Sequence, residues 1–447
     1  MKNQNARHFA RSESGQMVVL AAIVMMVLLF FVGLAVDAGQ LFIAKRSEQE
    51  AADSAAFAGA IVFYKGGSQP PSAPTVTLAV TQARTVAALN GYTGGCALTT
   101  TGSCYDAASA TTVTVNYPPV SGAYSGNLNH IEVEITRQVR TSLVPAEALF
   151  NPVRARGVAG AESYNSGYSL ISLDPNCDNN VFAVQPNMDI HLNGGGVLVN
   201  SCGADTTSGF TSTQDFTITG SPTGMDIVGG SIGDTFPPAI TVNTGVPPLA
   251  DPFAGYPKPP CCGGLPVNST GYGGNTAFAG VWTGNLSGVS LCGGIYILQG
   301  GGMGGDIGRD TTPGHIDPNT GLPCDGKSFI FNTMSNYPAT SGGSCSQIGQ
   351  NGNHPITIRP MTTGTWSGMQ IYQDPRCAVD VQIGGNQTLD AGGTIYIPSA
   401  TLHLNGNPAT IDGGQLIAYK LDIQNGNLNI NYNAGNSAQP ILPRLSE

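Results

Sequence analysis

Hydrophobic and polar positions along this chain fall into three successive regimes. In the first, Met17 to Val36 reads MVVLAAIVMMVLLFFVGLAV, twenty residues without a charge. At 1.5 Å per residue this is roughly 30 Å of helix, the thickness of a bilayer core. The pattern predicts a transmembrane helix over 17–36, preceded by a polar, basic leader over 1–16. A cleaved signal peptide fits less well. Its apolar region is shorter, and Val36-Asp37-Ala38 is a poor cleavage site because helical spacing continues beyond it.

No proline interrupts the chain from Gln16 to Val62. Past the apolar run, Leu41, Ala44, Glu48, Ala51, Ala55, Ala58 and Val62 alternate spacings of three and four. This predicts an extramembrane continuation of the same helix over 37–63, about 70 Å in all. Small side chains along one seam let another backbone come close. Packing onto the protein's own domain is the first expectation. Packing against like subunits, or other components of an assembly, through the 41–62 seam is the second. Glu48 interrupts the seam and is expected to be solvated.

The second regime covers 64–162. Lys65-Gly-Gly-Ser-Gln-Pro-Pro ends the long helix, and 76–90 predicts another, closed by Asn90-Gly91. Thr111–Tyr117 and His130–Val139 alternate and are rich in β-branched residues, so they predict strands. Pro145–Phe150 predicts a short helix and Pro152–Ala161 a third strand. The sum is a small α+β domain.

From Ser163 short alternating runs stand between Gly, Asn and Pro clusters, as at Met188–Leu192, Val197–Asn200, Phe216–Thr219, Ala239–Val242, Gly294–Leu298, Phe329–Asn332, Ile356–Arg359 and Met369–Tyr372. Near the end the pattern repeats. Gly-Asn pairs begin at 385, 406 and 426, a period of 21 and then 20. Gly393-Thr-Ile-Tyr-Ile against Gly414-Gln-Leu-Ile-Ala shares the period, and Ile190-His-Leu-Asn-Gly194 echoes the phrase far upstream. Such a repeat suits a parallel β-helix, right-handed, over 163–447, with a sandwich as the competitor. The fold expected is therefore an α+β N-terminal part followed by an all-β domain.

Composition narrows the function. Only 10% of residues are charged and the net charge is −10, which disfavours a nucleic-acid binder. Lys2, Arg7 and Arg11 precede the span and place the N-terminus in the cytoplasm, although Lys45 and Arg46 weaken the asymmetry. Residues after 36 are then periplasmic or extracellular. All ten cysteines follow the span, an even number that suits disulfides. Cys96 and Cys104 can close a small loop. Adjacent Cys261 and Cys262 are each expected to have a distant partner.

Candidate chemistry is sparse. Asp306, Arg309, Asp310 and His315 form the best cluster for a polysaccharide lyase or hydrolase, yet they sit in a Gly-rich stretch read as a solvated loop. Gly301–Gly308 partly matches a calcium-binding nonapeptide in a single copy. Asp390 and Asp412 recur one repeat apart and could form a ladder, but read more simply as turn residues. Asn268, Asn285 and Asn386 head Asn-x-Ser/Thr triplets. Cysteine and histidine spacing gives no zinc pattern. No catalytic, cofactor or metal residue is assigned.

The N-terminal phrases also carry a resemblance. Ser14-Gly-Gln-Met-Val-Val, Gly33-Leu-Ala-Val-Asp-Ala-Gly-Gln-Leu-Phe-Ile-Ala-Lys-Arg46 and Glu48-Gln-Glu-Ala-Ala-Asp-Ser-Ala-Ala-Phe-Ala-Gly-Ala60 resemble the TadG-like N-terminal segment of Flp (Tad) pilus-assembly proteins. The strands around Ile131–Arg137 and Val153–Ala161 are similar to those that follow it. Ser367–Pro375 and Gly393–Ser399 resemble the β-rich extension of some TadG-like envelope proteins. The resemblance implies a bacterial, membrane-anchored protein of the envelope, acting without catalysis in Flp pilus assembly or surface adhesion. Its partners would be the lipid bilayer through 17–36 and other pilus components. Pilins of this type carry Glu five residues past the cleaved Gly. Leu20 stands there after Gly15, which favours an anchored role over a processed subunit. The alternatives are a membrane-tethered carbohydrate-active β-helix enzyme and a structural surface protein unrelated to pili.

Overall fold

Helix α1 runs from Ser14 to Gly66, 53 residues and so about 80 Å long. The computed structural model describes residues 14–66, 70–139, 152–163, 166–186, 188–220, 222–349, 354–383, 388–405, 409–424 and 426–446. Most of the leader, the short helix expected at Pro145–Phe150, and the Gly-Asn pairs at 385 and 406 lie outside them. Two compact units are present, Met1–Glu162 with Ile441–Glu447, and Ser163–Pro440.

In the first unit α1 packs against α2 (Ala73–Leu89) and an antiparallel sheet of β1 (Gly102–Asp106), β2 (Thr111–Asn116), β3 (His130–Gln138) and β4 (Pro152–Ser163), in that order. β1 was not foreseen; its short GSCYD sequence has no alternating apolar pattern. Along β2, Val113 and Val115 point inward while Thr112 and Thr114 stay half-exposed, the period-2 pattern of a half-buried strand. These valines meet Ile131, Val133 and Ile135 of β3 and the alanines of both helices. A Cβ at Gly157 of β4 would lie 2.8 Å from the Ala52 carbonyl. Glycine on the strand and alanine on the helix therefore allow backbone to sit on backbone. Strand Ile441–Leu445 flanks β4, so the chain returns to this unit at its end, whereas the sequence pattern predicts an all-β domain as far as 447.

The second unit consists of two sheets whose strands alternate along the chain. One runs Phe216–Gly220, Asp189–Gly194, Asn427–Asn431, Ala409–Asp412, Leu389–Gly392, Ile356–Ile358, Met303–Arg309, Leu286–Leu291, Thr276–Ala277, Thr270–Gly271. The other runs Thr241–Thr244, Gly224–Ile227, Gly196–Val199, Tyr168–Ser172, Leu416–Ile423, Thr394–Leu404, Met369–Gln373, Ser328–Thr333, Gly294–Gln299, Gly280–Trp282. Neighbours are parallel apart from the antiparallel Thr270–Gly271 pair at one end. Paired residues lie 21 apart at Ile395 and Leu416, 20 at Leu389 and Ala409, and 19 at Leu402 and Leu421. The repeat read from the sequence is thus the spacing of the C-terminal layers, while other layers range from 14 residues between Thr276 and Ser290 to 49 between Ile307 and Ile356.

The order of layers does not follow the order of the chain. The chain enters mid-stack at Tyr168–Ser172 and advances to Thr241–Thr244 at one end. It then crosses to the other end and restarts near Thr270. From there it advances in the same direction until Leu416–Ile423 and Asn427–Asn431 pair with Tyr168–Ser172 and Asp189–Gly194. The upstream echo Ile190–Gly194 is therefore the next layer after the C-terminal repeat, with His191 opposite Asn429.

Residues 246–262 make the crossing as a strap over the second sheet. Inward positions such as Leu170, Ile330, Ile371 and Ile395 fill the space between the sheets. The alternate positions Ile171, Phe329, Phe331, Tyr372 and Tyr396 form a second apolar cluster with Phe253 and Tyr256 of the strap. Polar anchors recur along it. Leu249 and Asn200 exchange two hydrogen bonds, at 2.7 and 2.9 Å. The Tyr396 hydroxyl donates to Asp251 at 2.6 Å, and the Trp366 indole to the Pro257 carbonyl at 2.8 Å.

Disulfides pair Cys96 with Cys104, Cys177 with Cys202, Cys292 with Cys324, and Cys345 with Cys377. Cys261 and Cys262 pair with each other, correcting the expectation of distant partners. Each other cysteine already has its mate across adjacent segments.

Candidate functional site: the apolar helix and the polar ladders

The two halves of α1 meet different surroundings. From Met17 to Val36 the large apolar side chains are 45–73% exposed. Moving each of them from water to an apolar medium is worth about 1.5–3 kcal/mol. This stretch is long and apolar enough to cross a membrane. Beyond it Ala44, Ala51, Ala55, Ala56 and Ala60 are buried within the first unit. Burial follows 44, 48, 51–52, 55–56, 59–60 and 63. That drifts off the strict 3.5-residue seam because a straight helix turns every 3.6. The seam is thus used internally, and the expected subunit contact through 41–62 has its central positions already covered.

Glu48 corrects another expectation. It is fully buried, with Oε1 3.3 Å from Arg137 Nε on β3. Arg137 in turn lies over the Tyr92 ring. Burial pushes the Glu48 carboxyl up to about 7, against the opposing attraction of Arg137 and Lys45. Nearby, Glu132 is also buried, but hydrogen bonds from the Val120 N–H, Arg156 and Ser121 outweigh desolvation and hold its carboxyl below the usual range.

The cluster Asp306, Arg309, Asp310 and His315 does not form one centre. Asp306 bonds His354 at 2.7 Å on the surface. Asp310 is buried and accepts from the Thr276 hydroxyl at 2.6 Å, with His315 Nδ1 at 2.7 Å. Burial opposes its charge, but these bonds and the Thr312 N–H hold it down to about 2. His315 stacks on Tyr272, and Arg309 donates to the Gly326 carbonyl. The two carboxylates therefore serve separate partners. Gly301–Gly308, the partial nonapeptide, lies largely in strand Met303–Arg309. Among the described residues no three His, Cys, Asp or Glu side chains converge as metal ligands.

Asp390 and Asp412 do not stack on each other. Asp390 is opposite Thr410 and Asp412 opposite Gly392, so the repeated Asp-x-Gly phrase is offset from the strand register. Arg359 joins them instead, 2.7 Å from Asp390 and 3.9 Å from Asp412. Asn268 caps the turn at Thr283 and Gly284 through its side-chain oxygen.

Sequence reasoning missed the polar ladders. Asn431 donates to Asp412 at 2.7 Å, Asn193 to Asn431 at 3.0 Å and Thr219 to Asn193 at 3.0 Å. This chain of bonds crosses four adjacent strands, and Arg359 lies 3.9 Å from its Asp412 end. His403 similarly bridges Asp422 at 2.8 Å and Asp380 at 3.8 Å. Only the Asn-x-Asn and Asp phrases of the repeat hinted at such ladders, and a phrase does not say which strand lies beside it.

These features define a chain with a candidate membrane anchor and a large β-rich body of parallel sheets. Residues 15–62 match the family model described as putative Flp pilus-assembly TadE/G-like, the stretch on which the resemblance rested. Neither a curated protein nor a solved structure matches the chain. The family match and the apolar helix together support a membrane-anchored protein related to pilus assembly.

Proposed function

We propose that this is a single-span bacterial envelope protein acting in Flp pilus assembly or surface adhesion by binding and scaffolding. Residues 17–36 span the inner membrane, the N-terminus is cytoplasmic and everything after 36 lies outside the cytoplasm. The observation that carries this reading is the division of α1. Its exposed apolar half adjoins a half buried on its own domain, within the one stretch that matches a pilus-assembly family. Disulfides throughout the polar part suit an oxidising compartment. We read the layered unit as a right-handed parallel β-helix, supported by its parallel neighbours and by layer lengths of 19 to 21 residues in its C-terminal part. An enzymatic role draws less support, since Asp306 and Asp310 each engage a different histidine.

Membrane fractionation with protease protection tests the topology. The protein should stay in the membrane pellet after alkaline carbonate, and protease added outside the inner membrane should digest the 163–440 unit. Removing residues 14–36 should release it in soluble form. Carbonate extraction of the full-length chain, or protection of that unit in intact spheroplasts, would sink the proposal.

A further inference from the structure

Three depressions on the second unit join into one trench. The first, of about 300 Å³, shares Lys327, Met361 and Thr362 with the second, of about 360 Å³. The second shares Gly413 and Asn436 with the third, of about 420 Å³. From Arg309 to Asn193 the trench crosses six neighbouring strands of one sheet. Five intervals of 4.8 Å make this about 24 Å.

Charge is distributed unevenly around it. Residues 163–440 contain seventeen aspartates, no glutamate and six cations. Three of those six, Arg309, Lys327 and Arg359, line the middle depression. Each of two is matched locally. Arg359 lies between Asp390 and Asp412, and Lys327 is 3.8 Å from Asp325. The trench is thus near neutral on a unit whose overall charge repels polyanions.

Toward its Asn193 end, where Asp412, Asn431 and Asn193 line it, the trench repeats donors and acceptors at strand spacing. In the ladder Asp412–Asn431–Asn193–Thr219, each asparagine gives one N–H and its oxygen accepts one bond. An amide has two donors and two lone pairs. A second N–H and a second lone pair on each exposed asparagine therefore remain for a ligand. Asn436 and the Thr362 and Ser367 hydroxyls add further polar groups on the walls. A ligand matching this surface needs neutral groups that both donate and accept, repeated along a line. A peptide that binds by strand addition needs an open strand edge for its backbone, and the strands of this floor are already paired on both sides.

We propose that the trench binds a linear, uncharged glycan lying across the strands. This deepens the adhesion reading and rests on it only for biological sense, because binding is measured on the purified protein whatever its topology.

The test is calorimetric titration of the full-length protein, held in a detergent without a sugar headgroup. The probes are hexasaccharides of glucose, N-acetylglucosamine and mannose, with hexagalacturonate and an extended polar peptide beside them. At least one neutral hexasaccharide should bind, and its trisaccharide at least tenfold more weakly. Asn431→Ala and Asn436→Ala should each weaken binding several-fold, while Asn243→Ala, on the terminal strand of the other sheet, should not. Failure of all three neutral probes, preference for the uronate or peptide, or binding indifferent to Asn431 and Asn436 would overturn the proposal. Glycan binding by a protein that fails the protease-protection test would instead leave the trench intact and remove the topology.

Discussion

Glu48 sits within an otherwise alanine-rich seam, and its neighbours decide its chemistry. In the unfolded chain it titrates near 4.5, and in the folded unit near 7. Between those values the native state holds the proton more tightly, so folding is favoured at low pH. That advantage is lost as pH rises through 7. The shift corresponds to a loss on the order of 3 kcal/mol. Glu48→Gln should remove this dependence. Thermal unfolding followed from pH 4.5 to 7.5 should show the variant gaining on the parent as pH rises. Parallel curves would show that Glu48 is not buried as described. The sequence displayed the interruption of the seam but not its outcome, because burial of position 48 depends on β3 bringing Arg137 beneath it.

Individual elements were largely legible. The long helix, α2, β2, β3, β4 and the eight short runs named in the second unit lie within a few residues of their expected positions, since periodicity records which face is buried, whereas the Gly-rich stretch expected as a solvated loop forms strand Met303–Arg309. Pairing is another matter. The echo at Ile190–Gly194 could be heard in the sequence, yet nothing local makes its strand the neighbour of Asn427–Asn431 rather than of an earlier one. The register places His191 opposite Asn429. Neighbouring strands are about 4.8 Å apart, within the Cα range of a disulfide. His191→Cys with Asn429→Cys should therefore be joined by a short thiol cross-linker, detected as a linked peptide pair after digestion. His191→Cys with Thr357→Cys, on a strand further along the sheet, should not. The reverse result would refute the closing of last layer on first.

The strap is a property of the entire second unit. Starting mid-stack, the chain has to carry residues 246–262 along the sheet before it can begin the far end. That path covers aromatic side chains the sheet would otherwise expose. Phe253 is 1% exposed and touches Tyr256 and Tyr396. Phe253→Ala should cost about 3–5 kcal/mol, the usual price of emptying a buried phenylalanine site, read as a lower denaturant midpoint with folded-state circular dichroism unchanged. A cost below about 1 kcal/mol would mean that the strap does not bury this face.

The apolar helix, its alanine seam and the repeat near twenty residues are local patterns, and they specify a helix apolar enough to cross a membrane, a helix fit for close packing and a set of short strands. What covers each face was decided only by tertiary structure. The domain of α1 takes up its own seam, Arg137 reaches Glu48, the C-terminal layer docks on the first, and the cysteines pair as their segments meet. The physical reason is that a pattern of buried positions states a need for a partner, and parallel strands of similar sequence satisfy one another in many orders. The choice among them lies in contacts between residues hundreds of positions apart.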